Sequence, residues 1–584
     1  MAFSLPRSHR WLPGACAVLG ALACAAPVQA QQLIGCRDAT PAEAAFYSTP
    51  VIMPGVISPR DGTCYVKDLR ITTHDGLKLT ANVFLPAGAT SGVAGGQKFP
   101  GVVYISSWAL TDSFEYLGQQ ARMARDGYIS VAYTTRGFWG SEGVISVASE
   151  GDIRDVSTAI DFMQAFTPVD AARIGTAGIS YGAGMSLLAS ARDKRIRALA
   201  ALSGWGNLSD QLFGNQVPNP TWTAVLLGSG QLLGRMDPAV VSMSRETLNP
   251  DATPEQAAAA MAWAVPRSPS AVVNQINANQ PAVFIGKNWQ DDMFSPNSTL
   301  ALFEKLTTPK RISLQPGIHG SIELGAAMFD KPNLVWDQAH RWFDRYLKGV
   351  PNGIDAEPKV RLTTKFGNVN ETLSTWPAPE LKRNVLWVNP RGPVRYDWSC
   401  WCMKGLVGSM NPARGPFGLD TINNALDTTA TTGPLPVLSV TAETIGLPVI
   451  NHQDSILRDQ GVRYEGPVLS QGMKIRGAPQ VQLRVRPSQK RGMLVAYLYD
   501  VDALGWGTLI THGARAVHWA TPGQSIDFSF DLNAIAYDVA PGRKLALVFD
   551  TADHLYGAPV RWGEAFSMTI EAGDGVSALT IPSR

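Results

Sequence analysis

Between about residues 66 and 349 the chain alternates short apolar, β-branched runs with stretches whose apolar residues recur every three or four positions. The runs at 102–106, 129–133, 174–178, 199–203, 282–285 and 311–314 are short and mostly apolar, and they read as strands buried on both faces of a parallel sheet. The last helical stretch, 333–349, puts Val335, Ala339, Trp342, Phe343, Tyr346 and Leu347 on one face before Gly349 and Pro351 stop it. This alternation predicts a mostly parallel sheet covered by helices. From Gly204 to about Gln280 the strand rhythm is missing, and Leu-, Met- and Ala-rich stretches such as 255–265 read as helical. An insertion of about 205–280 is therefore predicted to cap the C-terminal strand ends, where ligands of α/β enzymes bind. After Pro351 short alternating runs at 360–364, 384–388, 480–485, 494–499, 526–532 and 544–550 are punctuated by turn residues, the texture of a β-sandwich of jelly-roll type.

Length and composition fit this division. A chain of 584 residues exceeds what one core serves, and 45% hydrophobic with 17% charged residues leaves little room for long disordered tails. Arg7 and Arg10 precede an apolar stretch at 11–26 and the small residues Val28-Gln29-Ala30. That is the pattern of a secretory signal peptide over residues 1–30, too short and too rich in Ala and Gly for a membrane span. The expected domains are thus the leader 1–30, an α/β catalytic domain 31–350 with its cap, and an all-β domain 351–584. The expected location is secreted or periplasmic. The formal net charge is +2, and removal of Arg7 and Arg10 leaves 48 basic against 48 acidic residues. With no basic stripe, nucleic acid and acidic membrane surfaces are not expected partners. Cys36, Cys64, Cys400 and Cys402 remain after cleavage, and an even number in an oxidising compartment predicts disulfides with three possible pairings. Neither cysteine pair has zinc-ligand spacing, so no metal or other cofactor is expected.

The strongest chemical signal is Gly178-Ile179-Ser180-Tyr181-Gly182, which follows an apolar strand and precedes a helix-forming stretch. This is the G-x-S-x-G context of a nucleophile elbow, whose serine hydroxyl is exposed on a strained turn between two glycines. It predicts Ser180 as nucleophile and the backbone N–H of Tyr181 as an oxyanion donor at a helix N-terminus. In an α/β-hydrolase fold the acid and then the histidine follow the serine. Of eight histidines, His9 lies in the leader, His74 precedes the elbow, His340 is inside the closing helix, and His452, His512, His518 and His554 fall in the tail. His319, in a loop after the run 311–314, remains as the general base. The acid belongs after the preceding strand, where Asp291 and Asp292 stand side by side, and spacing does not separate them.

The chain resembles the superfamily of X-prolyl dipeptidyl aminopeptidases, cocaine esterase and α-amino-acid ester hydrolases. The likeness rests on Thr135-Arg136-Gly137-Phe-Trp-Gly140-Ser141-Glu142-Gly143, the elbow, Asp291-Asp-Met-Phe294, Gly317-Ile-His319-Gly320, and Arg341-Trp-Phe-Asp344-Arg-Tyr-Leu-Lys348-Gly349. In the tail, Ser374-Thr-Trp376-Pro377 and the stretch from Gly477 through Asp502 add to it. The resemblance implies a capped α/β-hydrolase domain followed by a jelly roll. It also implies that the acid is Asp291, first of a D-x-[LM]-F run, rather than Asp292. Relatives of cocaine esterase often use a tyrosine hydroxyl as second oxyanion donor, where this chain has Ser106-Ser107-Trp108-Ala109. Trp108 stands in its place, as a donor through its backbone or indole N–H or simply as a packing residue.

These residues predict an exported serine hydrolase acting on small esters or short peptides through an acyl-serine intermediate. Asp210, a few residues past a strand end, is either the first carboxylate that a substrate amine would meet or a solvated aspartate at the start of a helix after Asn207-Leu-Ser209. The alternative function is carbohydrate binding or adhesion through the jelly roll, with the hydrolase half secondary. Oligomeric state is not legible.

Overall fold

A computed structural model describes residues 63–89, 96–367, 369–423, 428–433, 443, 446–557, 560 and 564–584, without the side chains of Leu212 and Cys402. The leader, Cys36 and hence the cysteine pairing lie outside the described residues.

The first sheet is built from β1 (Cys64–Thr72), β2 (Lys78–Leu85), β3 (Phe99–Ile105), β4 (Ile129–Tyr133), β5 (Val169–Ile179), β6 (Ile196–Leu202), β7 (Ala282–Asn288), β8 (Lys310–Gln315), β9 (Val360–Thr363) and β10 (Asn370–Leu373). Its order is β1-β2-β4-β3-β5-β6-β7-β8-β9-β10, parallel from β4 to β9 and antiparallel at both ends. The central strands are buried along their length, which explains their unbroken apolar runs.

Helices α1 (Leu117–Arg125), α2 (Glu150–Phe166) and α3 (Tyr181–Ser190) follow β3, β4 and β5. Between β6 and β7 lie five α-helices, α4 (Leu208–Phe213), α5 (Pro220–Leu233), α6 (Pro238–Leu248), α7 (Pro254–Ala264) and α8 (Val273–Asn279), in the stretch read as a cap. Pro at the first turn of α5, α6 and α7, behind Asn219, Asp237 and Thr253, sets their starts. Helices α9 (Pro296–Lys305), α10 (Ser321–Phe329) and α11 (Leu334–Leu347) complete the domain. One face of the sheet packs on α2, α3 and α9, the other on α10 and α11, where Trp336, Trp342 and Phe343 are buried.

The strand read at 360–364 as part of the tail belongs instead to this sheet, as β9 beside β8. At that edge one face is only half covered, so its residues alternate between buried and half-buried positions and mimic a sandwich strand. The remaining strands, from Lys382–Asn389 to Ala578–Ser583, form an all-β domain dominated by one sheet of fourteen among the described residues. It is bonded to the end of the loop after β7 and the first turn of α9: Asn297 Nδ2 donates to the Leu532 carbonyl at 2.9 Å, and Ser295 Oγ to Asn533 Oδ1 at 2.7 Å. The cap also reaches it, since the Thr221 hydroxyl donates to the His554 carbonyl at 3.0 Å.

Candidate active site

Strand β5 runs into α3 through Ser180, whose φ of 53° and ψ of −114° place it in a strained conformation. The two glycines are required by contact. A Cβ on Gly178 would run into the Gly182 backbone, and one on Gly182 into the Ile105 carbonyl at the end of β3. The turn is anchored from below by Tyr116, whose hydroxyl accepts the Ile179 N–H at 2.8 Å and donates to the Ile105 carbonyl at 3.1 Å.

Three loops at the C-terminal ends of β5, β7 and β8 bring the predicted residues together. His319 Nε2 lies 2.7 Å from Ser180 Oγ, and His319 Nδ1 lies 3.1 Å from both carboxylate oxygens of Asp291. The histidine and aspartate loops are tied to each other: Gly317 N–H donates to Gln290 Oε1 at 2.9 Å, and Gln290 N–H to the Gly317 carbonyl at 3.1 Å. Phe294 packs edge-on to the imidazole at 5.1 Å and gives its N–H to Asp291 at 2.9 Å. Asp291 is fully buried. Burial pushes its carboxyl upward, but Lys287 and His319 outweigh that and hold it below the usual range. An ionised carboxylate on Nδ1 leaves Nε2 free to take a hydroxyl proton, so the arrangement is competent for nucleophilic attack by Ser180.

Asp292 turns the other way. Its carboxylate accepts the Trp222 indole N–H at 3.1 Å. The residue is half-buried, and desolvation of its carboxyl together with the Asp291 charge pushes it up to about 7. A carboxyl raised in the folded state favours folding while protonated, and the advantage is lost as pH rises through 7. Asp292→Asn is therefore expected to raise Tm more at pH 8 than at pH 5. Calorimetry at both values checks this, and a larger gain at pH 5 would contradict it.

Trp108 has its indole N–H engaged elsewhere. Its indole N–H donates to the Leu226 carbonyl at 3.1 Å and Ser229 Oγ at 3.2 Å on α5. The ring is thereby committed to the cap, and its backbone N–H is the group left for an oxyanion. Tyr181, whose backbone N–H opens α3, uses its hydroxyl to accept the Ala148 N–H at 2.6 Å.

Above Ser180 the cap closes over a cavity of about 100 Å³. Trp108, Trp205, Trp222, Trp263, Met243 and Phe294 dominate its walls, and no charged side chain is among the described residues that line it. Asp210 does not line this cavity. It belongs to an adjoining polar pocket with Asp292 and Asp531, which shares Gln211, Asn219 and Met293 with the first.

The profile of the X-Pro dipeptidyl-peptidase (S15 family) matches residues 75–321, and that of the X-Pro dipeptidyl-peptidase C-terminal non-catalytic domain matches residues 352–572. The chain belongs to this superfamily of serine hydrolases. Among solved structures, a CocE/NonD family hydrolase from Staphylococcus aureus superimposes with a TM-score of 0.65 at 15% identity, over 89% of this chain and 94% of that one. An α-amino acid ester hydrolase does so with a TM-score of 0.62 at 16% identity, over 91% and 98%. At such identities the likeness is one of fold. A polyketide transferase of Penicillium crustosum, claH, is 28% identical over 141 residues, 24% of this chain and 44% of that protein. The alignments span 44% to 47% of the length of the first curated relatives.

Within this hydrolase the sequence reading missed several supporting residues. Glu115, buried on the loop before α1, accepts the Ser107 N–H at 2.7 Å and its hydroxyl, and loss of water raises its carboxyl to about 7. Buried Glu323 accepts from Ser203 Oγ at 3.0 Å, and Lys287 lies against Asp291. A carboxylate or lysine inside an apolar run is a visible signal, because such residues are almost never fully buried unless paired. A grouping of His74, Asp75 and Asp155 has ligand-like spacing, but Arg136 occupies it, at 2.6 Å and 2.7 Å from Asp155 and 3.1 Å from Asp75.

Proposed function

We propose that this hydrolase is exported and cleaves esters, and more slowly amides, of apolar acyl groups through an acyl-serine on Ser180. The observation that carries the reading is the Ser180–His319–Asp291 alignment on the floor of an uncharged, aromatic-walled cavity. In acylation His319 Nε2 takes the Ser180 proton as Oγ adds to the substrate carbonyl, and the backbone N–H groups of Tyr181 and Trp108 stabilise the oxyanion. His319 then gives the proton to the departing alcohol or amine, and a water activated by the same nitrogen releases the acid. Export is supported by the leader pattern of residues 1–30, and oxidised cysteines would accompany it. The S15 profile supports an amide arm, including X-Pro peptides.

A series of p-nitrophenyl esters from acetate to hexanoate, beside an aminoacyl ester and Xaa-Pro-p-nitroanilides, tests substrate class. Each buried CH₂ contributes about 0.8 kcal/mol, so kcat/KM is expected to rise about fourfold per added carbon. Because Asp210 lies outside the Ser180 cavity, Asp210→Asn is expected to change the aminoacyl and acetyl esters alike. Preference for the aminoacyl ester over hexanoate, with a KM rise confined to it in Asp210→Asn, would transfer the substrate class to free-amine compounds.

The carbohydrate reading has a candidate surface in the exposed Tyr396, Trp398 and Trp401. These rings meet edge-on, at 75° and 78°, and do not form the flat platform that stacks on a sugar.

A further inference from the structure

Lys287 is a buried charged side chain beside Asp291 whose presence the triad chemistry leaves unexplained. It lies near the end of β7, four residues before Asp291, and its side chain has 0% exposure. Its Nζ lies 2.6 Å from Asp291 Oδ2 and 3.0 Å from the Gly204 carbonyl. A fully buried ammonium is costly unless paired, and its ion-pair partner is the carboxylate that also receives His319 Nδ1.

Resting on the reading of Ser180, His319 and Asp291 as a triad, we propose that Lys287 is its positioning residue: a buried counter-ion that orients the Asp291 carboxylate, keeps it ionised and sets the proton affinity of the Asp291–His319 pair. Among the described residues, the charged and titratable groups facing that pair are Lys287 from β7, Asp292 from the same loop and Glu323 from α10. Burial drives Lys287 below and Glu323 above their ordinary values. Lys287 is thus the cation that balances Asp291 before imidazolium forms. Removing it leaves the pair with an uncompensated negative charge in a dry site, and a proton added to either partner then cancels that charge. The pair binds its proton more tightly whichever atom holds it. Since Ser180 reacts only when the imidazole is neutral, the acid limb of its reactivity must move to higher pH.

The test uses the full chain and needs no knowledge of the substrate. The rate of Ser180 labelling by a fluorophosphonate is measured against pH in the wild type and in Lys287→Met. The acid limb is expected to rise by about one pH unit or more, as for a unit charge removed at this range, while the alkaline plateau stays within about tenfold. An unmoved acid limb with a loss uniform across pH would overturn the proposal and leave the triad standing. A wild type that takes no label would overturn both. If Lys287→Met does not fold, Lys287→Met/Asp291→Asn decides, because it leaves no unpaired buried charge. It is expected to melt above Asp291→Asn, and a double variant that melts below Asp291→Asn would contradict the pairing.

Discussion

Ser180→Ala is expected to lower kcat on the best ester by about a millionfold, the size of effect seen when a triad nucleophile is removed. The loss should fall on kcat rather than KM, because Ser180 is one small part of a cavity walled by tryptophan, methionine and phenylalanine side chains. About a thousandfold acceleration over water should survive, since the backbone N–H groups of Tyr181 and Trp108 do not depend on the hydroxyl. The variant should fold. Alanine removes no packing atom larger than an oxygen, and the strained backbone at φ 53° is held by the Ser180 N–H to Leu202 carbonyl bond at 2.8 Å and by the close approach of Gly178 and Gly182. Circular dichroism with steady-state kinetics separates the loss of chemistry from a loss of fold.

Asp291→Asn is expected to cost about ten-thousandfold in kcat, because an amide both weakens stabilisation of the imidazolium and favours the wrong tautomer. In this protein it should also lower Tm, since Lys287 would keep its charge while losing its ion-pair partner. Asp292→Asn, by contrast, should leave kcat within about tenfold, as that carboxylate accepts from Trp222 and does not touch the imidazole in the manner of Asp291. Kinetics and melting of the two variants side by side make the comparison. A larger kcat loss in Asp292→Asn would move the orienting role to the second aspartate.

The parallel strands were legible because burial on both faces leaves short, mostly apolar runs, and the elbow because two steric contacts demand glycine on either side of Ser180. The order of acid and histidine along the chain reduced eight histidines to one. Asp291 and Asp292 were not separable by spacing, since adjacent loop residues point apart only once Phe294 N–H and Trp222 have chosen between them. Strand β9 was misplaced because, next to the edge of the sheet, it alternates buried with half-buried residues like a sandwich strand. Lys287 escaped notice for a different reason. Its partner lies four residues on across a strand-to-loop turn, where no periodicity relates the two side chains. The commitment of the Trp108 indole likewise depends on α5, which is 118 residues away from it in sequence.

The most direct test of the central claim is to react the wild-type protein with a fluorophosphonate, digest it and locate the adduct by mass spectrometry. The account predicts a single modified site, Ser180, formed at a rate that falls as acid protonates the Asp291–His319 pair and lost in His319→Ala. An adduct on another serine, or none on Ser180 under conditions where the protein hydrolyses an ester, would contradict it.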